Sequence, residues 1–91
     1  MIKINNEAVL IVLDEGALIS GHIQYDDGTL IRLGYLKKGN GNFAYDREYV
    51  YIWSFDKGMP KIFDVKNRCE LLDREQKDLV LKKYKKYLKH F

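Results

Sequence analysis

The chain reads as an α+β fold: five or six antiparallel strands, as a meander, a roll or a small partly open barrel, with one C-terminal amphipathic helix packed on the sheet. Three observations predict this. From Ile2 to about Val65 the side-chain pattern has a period of two, that of strands whose two faces meet different surroundings. The breaks in that pattern are rich in Gly, Asp and Asn, residues that tolerate or stabilise a reversal of the chain. After Asp73 the apolar spacing becomes that of a helix. An antiparallel sheet must cover one face, and one helix is available to cover it.

Taken in order, Ala8 to Asp14 is apolar at almost every position and predicts a strand buried on both faces. Glu15-Gly16 turns the chain into Ala17 to Tyr25, where Ile19, Gly21, Ile23 and Tyr25 share one face and Ser20, His22 and Gln24 the other. Asp26-Asp27-Gly28-Thr29 is the clearest hairpin signal, with Gly28 free to take the positive φ such loops use. Thr29 to Leu36 is the next strand, and Lys37 to Asn42 a glycine-rich loop. Phe43 to Phe55 follows as one long strand, or a strand bent near Asp46 to Glu48. If it is continuous, Phe43, Tyr45, Arg47, Tyr49, Tyr51, Trp53 and Phe55 share a face. Asp56 to Pro60 turns again, Lys61 to Val65 is a last short strand, and Lys66-Asn67-Arg68 leads out of the sheet.

One domain is expected, with its β region in residues 1–68 and its helix in residues 69–91. Asp73 has the character of an N-cap, and Gln76 is spaced to reach back to it. The helix is expected from about Arg74 to His90. At about 100° per residue, Val80, Tyr84, Tyr87, Leu88 and Phe91 form one stripe, and Lys82, Lys85, Lys86 and Lys89 lie opposite. Tyrosines and lysines that interleave in the sequence therefore separate in space.

Length and composition bound the function. The chain has 91 residues, enough for one core that buries roughly three fifths of the unfolded surface. At 46% hydrophobic and 32% charged residues it is too apolar for a disordered tail. Cys69 is the only cysteine, which excludes an intramolecular disulfide and a cysteine-built zinc site, and its lone thiol fits a reducing, cytoplasmic compartment. The longest apolar run, Ala8 to Leu13, is far shorter than the roughly 20 residues of a membrane-spanning helix, so no membrane partner is expected. Charge is unevenly placed. Lys77 to Phe91 carries six lysines against Asp78, a balance of +5, whereas Met1 to Gln76 carries ten basic against twelve acidic residues, a balance of −2.

Two groups of residues are candidates for binding. Lys82, Lys85, Lys86 and Lys89 repel one another at helical spacing by a few tenths of a kcal/mol per pair, a cost that an acidic partner would offset. The plainer reading is a solvated face whose lysines complement the helix dipole. The aromatic face from Phe43 to Phe55 would stack the bases of a single strand if exposed, or fill the core if buried. Tyr45 and Arg47, beside the polar turn, are the members expected at the surface, and Lys37 and Lys38 supply further positive charge nearby.

Enzymatic chemistry has little support in the sequence. Asp64-Val65-Lys66, with Asp46 or Glu48 upstream, matches the acid and lysine pattern of metal-dependent nucleases, but the same triplet pattern recurs at Glu75-Gln76-Lys77. His22 falls on a polar strand face, His90 at a terminus expected to fray, and Cys69 reads as a small packed residue, so no nucleophile with its base is seen. Lys38 to Tyr45 has Asn40 and Asn42 where RNA-recognition and cold-shock strands place aromatics, so no family is assigned. Gly39 and Gly41 lack the following helix that a nucleotide-binding glycine loop requires. The expectation is a non-catalytic module without cofactor or metal that binds a larger cytosolic protein, as an inhibitor, an immunity protein or a regulator, plausibly phage-encoded. The partner would present an acidic surface or itself be associated with nucleic acid. The competing expectation is nucleic-acid binding by the basic face of the helix.

Overall fold

The computed structural model describes residues 1–90; Phe91, the last member of the expected apolar stripe, lies outside them. In chain order the strands are β1 (Ile2–Lys3), β2 (Ala8–Glu15), β3 (Leu18–Tyr25), β4 (Leu30–Lys37), β5 (Gly41–Tyr45), β6 (Tyr49–Ser54), β7 (Lys61–Asp64) and β8 (Cys69–Leu71). Helix α1 (Arg74–Tyr84), a 3₁₀ turn at Lys85–Tyr87 and strand β9 (Lys89–His90) complete the chain. Strands β2, β3, β4 and β7 are those that the periodicity predicts, β5 and β6 divide the span expected as one long or bent strand, and β1, β8 and β9 are short additions at sheet edges. All pairings are antiparallel, in a four-stranded sheet ordered β1-β2-β3-β4 and a five-stranded sheet ordered β8-β7-β6-β5-β9. The α+β class with a C-terminal helix on a sheet is therefore what the chain adopts.

Cross-strand partners point to the same side of a sheet, so the register assigns the faces. In the first sheet Leu10, Ile23 and Ile31 form one inward row, with Ala8 and Tyr25 beside it. In the second, Phe43 pairs with Ile52, and Tyr45, Val50 and Phe63 form the next row. These two sets meet in the main core, where Leu10, Ile23, Phe43, Val50 and Val65 are fully buried. Gly21 is required there, because a Cβ at that position would overlap the Phe43 ring. The Tyr25 hydroxyl donates to the Val65 carbonyl at 2.5 Å, which joins the two sheets with a buried hydrogen bond.

The opposite face of the second sheet is also covered. Ala44, Tyr51 and Ile62 lie in one row and are fully buried under Val80, Leu81 and Leu88, with Tyr49, Trp53 and Leu71 around them. The Tyr84 ring sits 5.6 Å from that of Tyr49. Val80, Tyr84 and Leu88 thus pack on the sheet as the stripe predicts, whereas Tyr87 is exposed. The second sheet is the middle of three layers.

Several sequence expectations are corrected. Phe43 to Phe55 is not one strand: Asp46, Arg47 and Glu48 form a hairpin turn, which sends Phe43 and Tyr45 to the inter-sheet core and Tyr49, Tyr51 and Trp53 toward the helix. Phe55, beyond the end of β6, is exposed. Asp73 does cap α1, but its carboxylate accepts from the Glu75 amide, and no reciprocal bond from Gln76 accompanies it. The helix ends at Tyr84, since a helix continued to His90 would leave the β5 edge open; instead Lys89 and His90 pair with Tyr45 and Ala44. Residues 69–90, expected as helix, therefore begin and end in strands, and His90 is a paired residue rather than a frayed one. Cys69 is exposed on β8, not packed. Strand β2 is buried on one face only, which matters below.

The β3–β4 turn and the β7–β8 turn are clasped together. Gly28 has φ +91, as its hairpin requires, and Asp27 accepts from the Thr29 amide at 2.9 Å. Arg68, itself at φ 55, donates to the Asp27 carboxylate at 2.8 Å and to the Thr29 hydroxyl at 3.1 Å, with its guanidinium 3.9 Å from the Tyr25 ring centroid. Hydrogen bonds from Thr29, and then the Arg68 guanidinium, hold the Asp27 carboxyl down at about 2. A carboxyl whose folded value is depressed stabilises the fold fully above its unfolded value near 3.9 and loses that contribution as pH falls toward about 2. Chemical denaturation of the native chain and of Asp27→Asn should accordingly show a stability gap that is constant from pH 5 to 7 and closes between about pH 4 and 2. A gap that does not change over that interval would show that the clasp acts by shape alone.

Candidate functional site

A cleft of about 370 Å³ lies where the first sheet, the β5–β6 turn and the C-terminal return meet. Its walls are Lys3 and Ile4 from β1 and the residue after it, Tyr45, Asp46, Arg47 and Glu48 from the turn, Tyr84 from the end of α1, Tyr87 from the 3₁₀ turn and Lys89 from β9. The turn is rigidly made. Asp46 Oδ1 accepts from the Glu48 and Tyr49 amides, both at 2.8 Å, and Oδ2 accepts from the Tyr51 hydroxyl at 2.6 Å. This is the local reason for the reversal: an aspartate side chain that binds the amides two and three residues ahead replaces the backbone hydrogen bonds of a turn. From outside, the Asn5 side-chain Nδ2 donates to the Arg47 carbonyl at 2.9 Å and the Val65 backbone amide to the Glu48 carbonyl at 3.0 Å. The turn is thereby pinned to the first sheet and to the chain beyond β7.

The charges of the cleft divide into committed and uncommitted groups. Asp46 is buried and its carboxylate is fully engaged. Burial, and then its bond to Asp46, push the Tyr51 phenol far above its ordinary value, which keeps it a donor to Asp46. Lys3, Arg47 and Lys89 form no ion pair among the described residues, where the pairs are Lys38 with Asp14 and Arg68 with Asp27. The Glu48 carboxylate beside Tyr84 raises its phenol above the usual value, while Lys83 acts in the opposite sense.

Of the residues singled out from the sequence, Tyr45, Arg47 and Lys89 come together in this cleft. Lys82, Lys85 and Lys86 do not join them, and the four lysines do not share one helix face: Lys82 is on α1, Lys85 and Lys86 are on the 3₁₀ turn, and Lys89 is on β9. Lys37 ends β4 at the far side of the first sheet, and Lys38 is paired with Asp14 at 2.7 Å. Lys3, Glu48, Tyr84 and Tyr87 were not expected at a site. No spacing rule links Lys3 to Lys89, since only the pairing of β9 with β5 brings the C-terminus to this place.

The acids of the nuclease-like pattern serve turns: Asp64 accepts from the Asn67 amide at 3.1 Å and its side-chain amide at 2.8 Å, and Asp46 is engaged as described. Among the described residues no three His, Cys, Asp or Glu side chains cluster as metal ligands would. No helix among them is long and apolar enough to cross a membrane.

A second surface is set by register. On the outward side of the first sheet Leu13, Ser20 and Tyr35 form one row, Ile11, His22 and Arg32 the next, Val9, Gln24 and Leu30 a third, and Glu15, Leu18 and Lys37 a fourth. Leu13 is 47% exposed, Leu18 41%, Leu30 59% and Tyr35 49%. Among the described residues no helix covers this side, since α1 lies on the second sheet. Comparison with protein-family models, with curated proteins and with solved structures gives no match to this chain.

The turn makes a prediction that separates structural from chemical roles. Asp46→Ala strands two amides and a buried phenol and should lower stability by about 2–4 kcal/mol, whereas Tyr51→Phe should cost about 1–2 kcal/mol, both read from urea unfolding. Equal losses would mean that the bonds of Asp46 to the turn amides contribute nothing.

Proposed function

We propose that this chain is a small non-catalytic protein-binding module, a regulator or inhibitor of a larger protein, and that it docks through the outward face of its first sheet. The observation that carries the reading is the outward row pattern of β2, β3 and β4. An antiparallel sheet with one solvated face alternates apolar-in with polar-out, but β2 is apolar at Val9, Ile11 and Leu13 on the side that the fold leaves open. Leu18, Leu30 and Tyr35 extend the patch across the neighbouring strands. A sequence that reads as buried on both faces, in a fold that buries one, supports a partner layer on the open side.

Charge and size define the occupant. Arg32 and Lys37 lie in these rows with Glu15 as the one carboxylate, so the partner should present an apolar centre with an acidic rim. A second copy of the chain would set its own cations against these. Eight-residue strands at about 3.4 Å per residue and about 4.8 Å apart give the face a footprint of roughly 400 Å². A standard interface takes about 800 Å² per partner, so the charged margin must take part as well as the apolar centre.

The test uses exposed residues, so the fold tolerates the change. Leu13→Thr, Leu30→Thr and Tyr35→Thr together should leave the melting temperature within a few degrees of the parent, since surface changes cost within about 0.5 kcal/mol each. A photo-crosslinker at Leu30 or Tyr35 should trap one protein from a nuclease-treated lysate, and the triple variant should not capture it. Arg32→Glu with Lys37→Glu should slow association about tenfold at low salt. A crosslinker at Leu79 on the exposed side of α1 that traps the same protein more efficiently would move the interface, and a stable homodimer lost in the triple variant would make the occupant a second copy.

A further inference from the structure

We propose that the cleft between β1, the β5–β6 turn and the C-terminal return is a binding site for a nucleoside phosphate. The argument starts from what its walls offer. Lys3, Arg47 and Lys89 come from separate segments of the chain, carry no ion pair among the described residues, and line one cleft. Convergent unpaired cations cost free energy by mutual repulsion, and a multivalent anion offsets that cost while accepting hydrogen bonds from all of them. Arg47 supplies a planar fork suited to two oxygens of a phosphate, and the lysines act as point charges beside it.

The remaining wall is aromatic. Tyr45, Tyr84 and Tyr87 line the same cleft; Tyr87 is 58% exposed, with the Lys86 ammonium 5.0 Å from its ring centroid, so its ring is the one available to a planar ligand. Base stacking on such rings contributes about as much as a phosphate contact and tolerates any base. Glu48 then discriminates. Glu48 lines the cleft, and among the described residues its carboxylate pairs with no lysine or arginine but takes a hydrogen bond from the Tyr84 phenol, which leaves its other oxygen as an acceptor. It matches a ligand with N–H donors on its ring edge, such as an amino-bearing base, and gains no hydrogen bond from the ring of a phosphotyrosine, which has no such donor. The volume, about 370 Å³, lies at the lower end of the roughly 300–1,000 Å³ of small-molecule sites, which suits one nucleotide unit and not two. The cleft shares Lys3 with the outward side of the first sheet, where it pairs with Val9, but its other walls lie outside those rows, so each site is tested by its own substitutions.

The ligand chemistry has two sources, a free nucleotide or one unit of a single strand, and the experiment separates them. The ¹H–¹⁵N spectrum of the full chain is titrated with CMP, AMP, GMP and UMP, with cytidine, with inorganic phosphate, with a phosphotyrosine peptide and with a ten-residue single strand of cytidylates. Nucleotides should shift the amides of Arg47, Glu48 and Lys89, and cytidine and phosphate alone should bind at least about tenfold more weakly, one lost charge-assisted contact being a factor of that order. Arg47→Ala and Tyr87→Ala should each weaken CMP about tenfold while leaving the melting temperature in place, and Glu48→Gln should narrow the preference for CMP over UMP. A single strand bound no more tightly per site than CMP assigns the cleft to free nucleotides. One bound about a hundredfold more tightly, and weakened by exchanging Lys82, Lys85 and Lys86 for Gln, assigns it to nucleic acid. Absence of shifts at these amides with millimolar nucleotides, or tighter binding of phosphotyrosine than of any nucleotide, would overturn the proposal.

Discussion

The fold depends on burying both faces of the second sheet. β6 lies near its middle, and its side chains alternate between two apolar surroundings: Val50 and Ile52 enter the core shared with the first sheet, while Tyr49, Tyr51 and Trp53 face the C-terminal segment. Large aromatics on that second side make a cover obligatory, because each buried ring contributes roughly 1.5–3 kcal/mol relative to exposure, against a total stability of about 5–15 kcal/mol. The helix and the strand that follows it are therefore part of the core, although no residue of α1 is itself fully buried.

The first sheet lacks this symmetry. Its inward rows are as apolar as the core demands, and its outward rows remain half apolar with no helix among the described residues laid over them. Had the helix crossed the first sheet, Leu13, Leu30 and Tyr35 would be core residues and the aromatics of β6 would be the open face. The choice is set by where the chain emerges: β8 leaves from the second sheet at the edge next to β7, and α1 starts three residues later on the face that Tyr51 and Ile62 present. The same return delivers Tyr84, Tyr87 and Lys89 to the cleft, so the cover of the core and the wall of the candidate site are one segment.

Much of this was legible in the sequence, and its limits have physical causes. Period two with Gly-rich and Asp-rich breaks located β2, β3, β4 and β7 and the span that holds β5 and β6, and the change of period located α1 and its Asp73 cap. A bend near Asp46 to Glu48 was one of two readings, and its being a full reversal was not decided because the period of two runs on across the three polar residues; the signal was Asp46 itself, placed to bind the amides two and three residues ahead. The end of the helix was hidden because lysine-rich sequence favours helix locally, whereas the open edge of β5 is a tertiary fact. Tyr45, Arg47 and Lys89 were named from sequence as binding residues, but their meeting with Lys3, Glu48, Tyr84 and Tyr87 follows from pairing between distant strands. The apolar run of β2 did carry its signal from the start, as a strand too apolar for one buried face.

The most direct measurement of this account is the thermal unfolding of the chain cut after Gln76, followed by near-ultraviolet circular dichroism and calorimetry. Removing the cover uncovers Ala44, Tyr51 and Ile62 and frees the β5 edge, so the truncated chain should lose cooperative unfolding and bind a hydrophobic dye. A truncated chain that melts cooperatively within a few degrees of the full one would show that the two sheets form a sufficient core by themselves and that the C-terminal segment is an undocked arm.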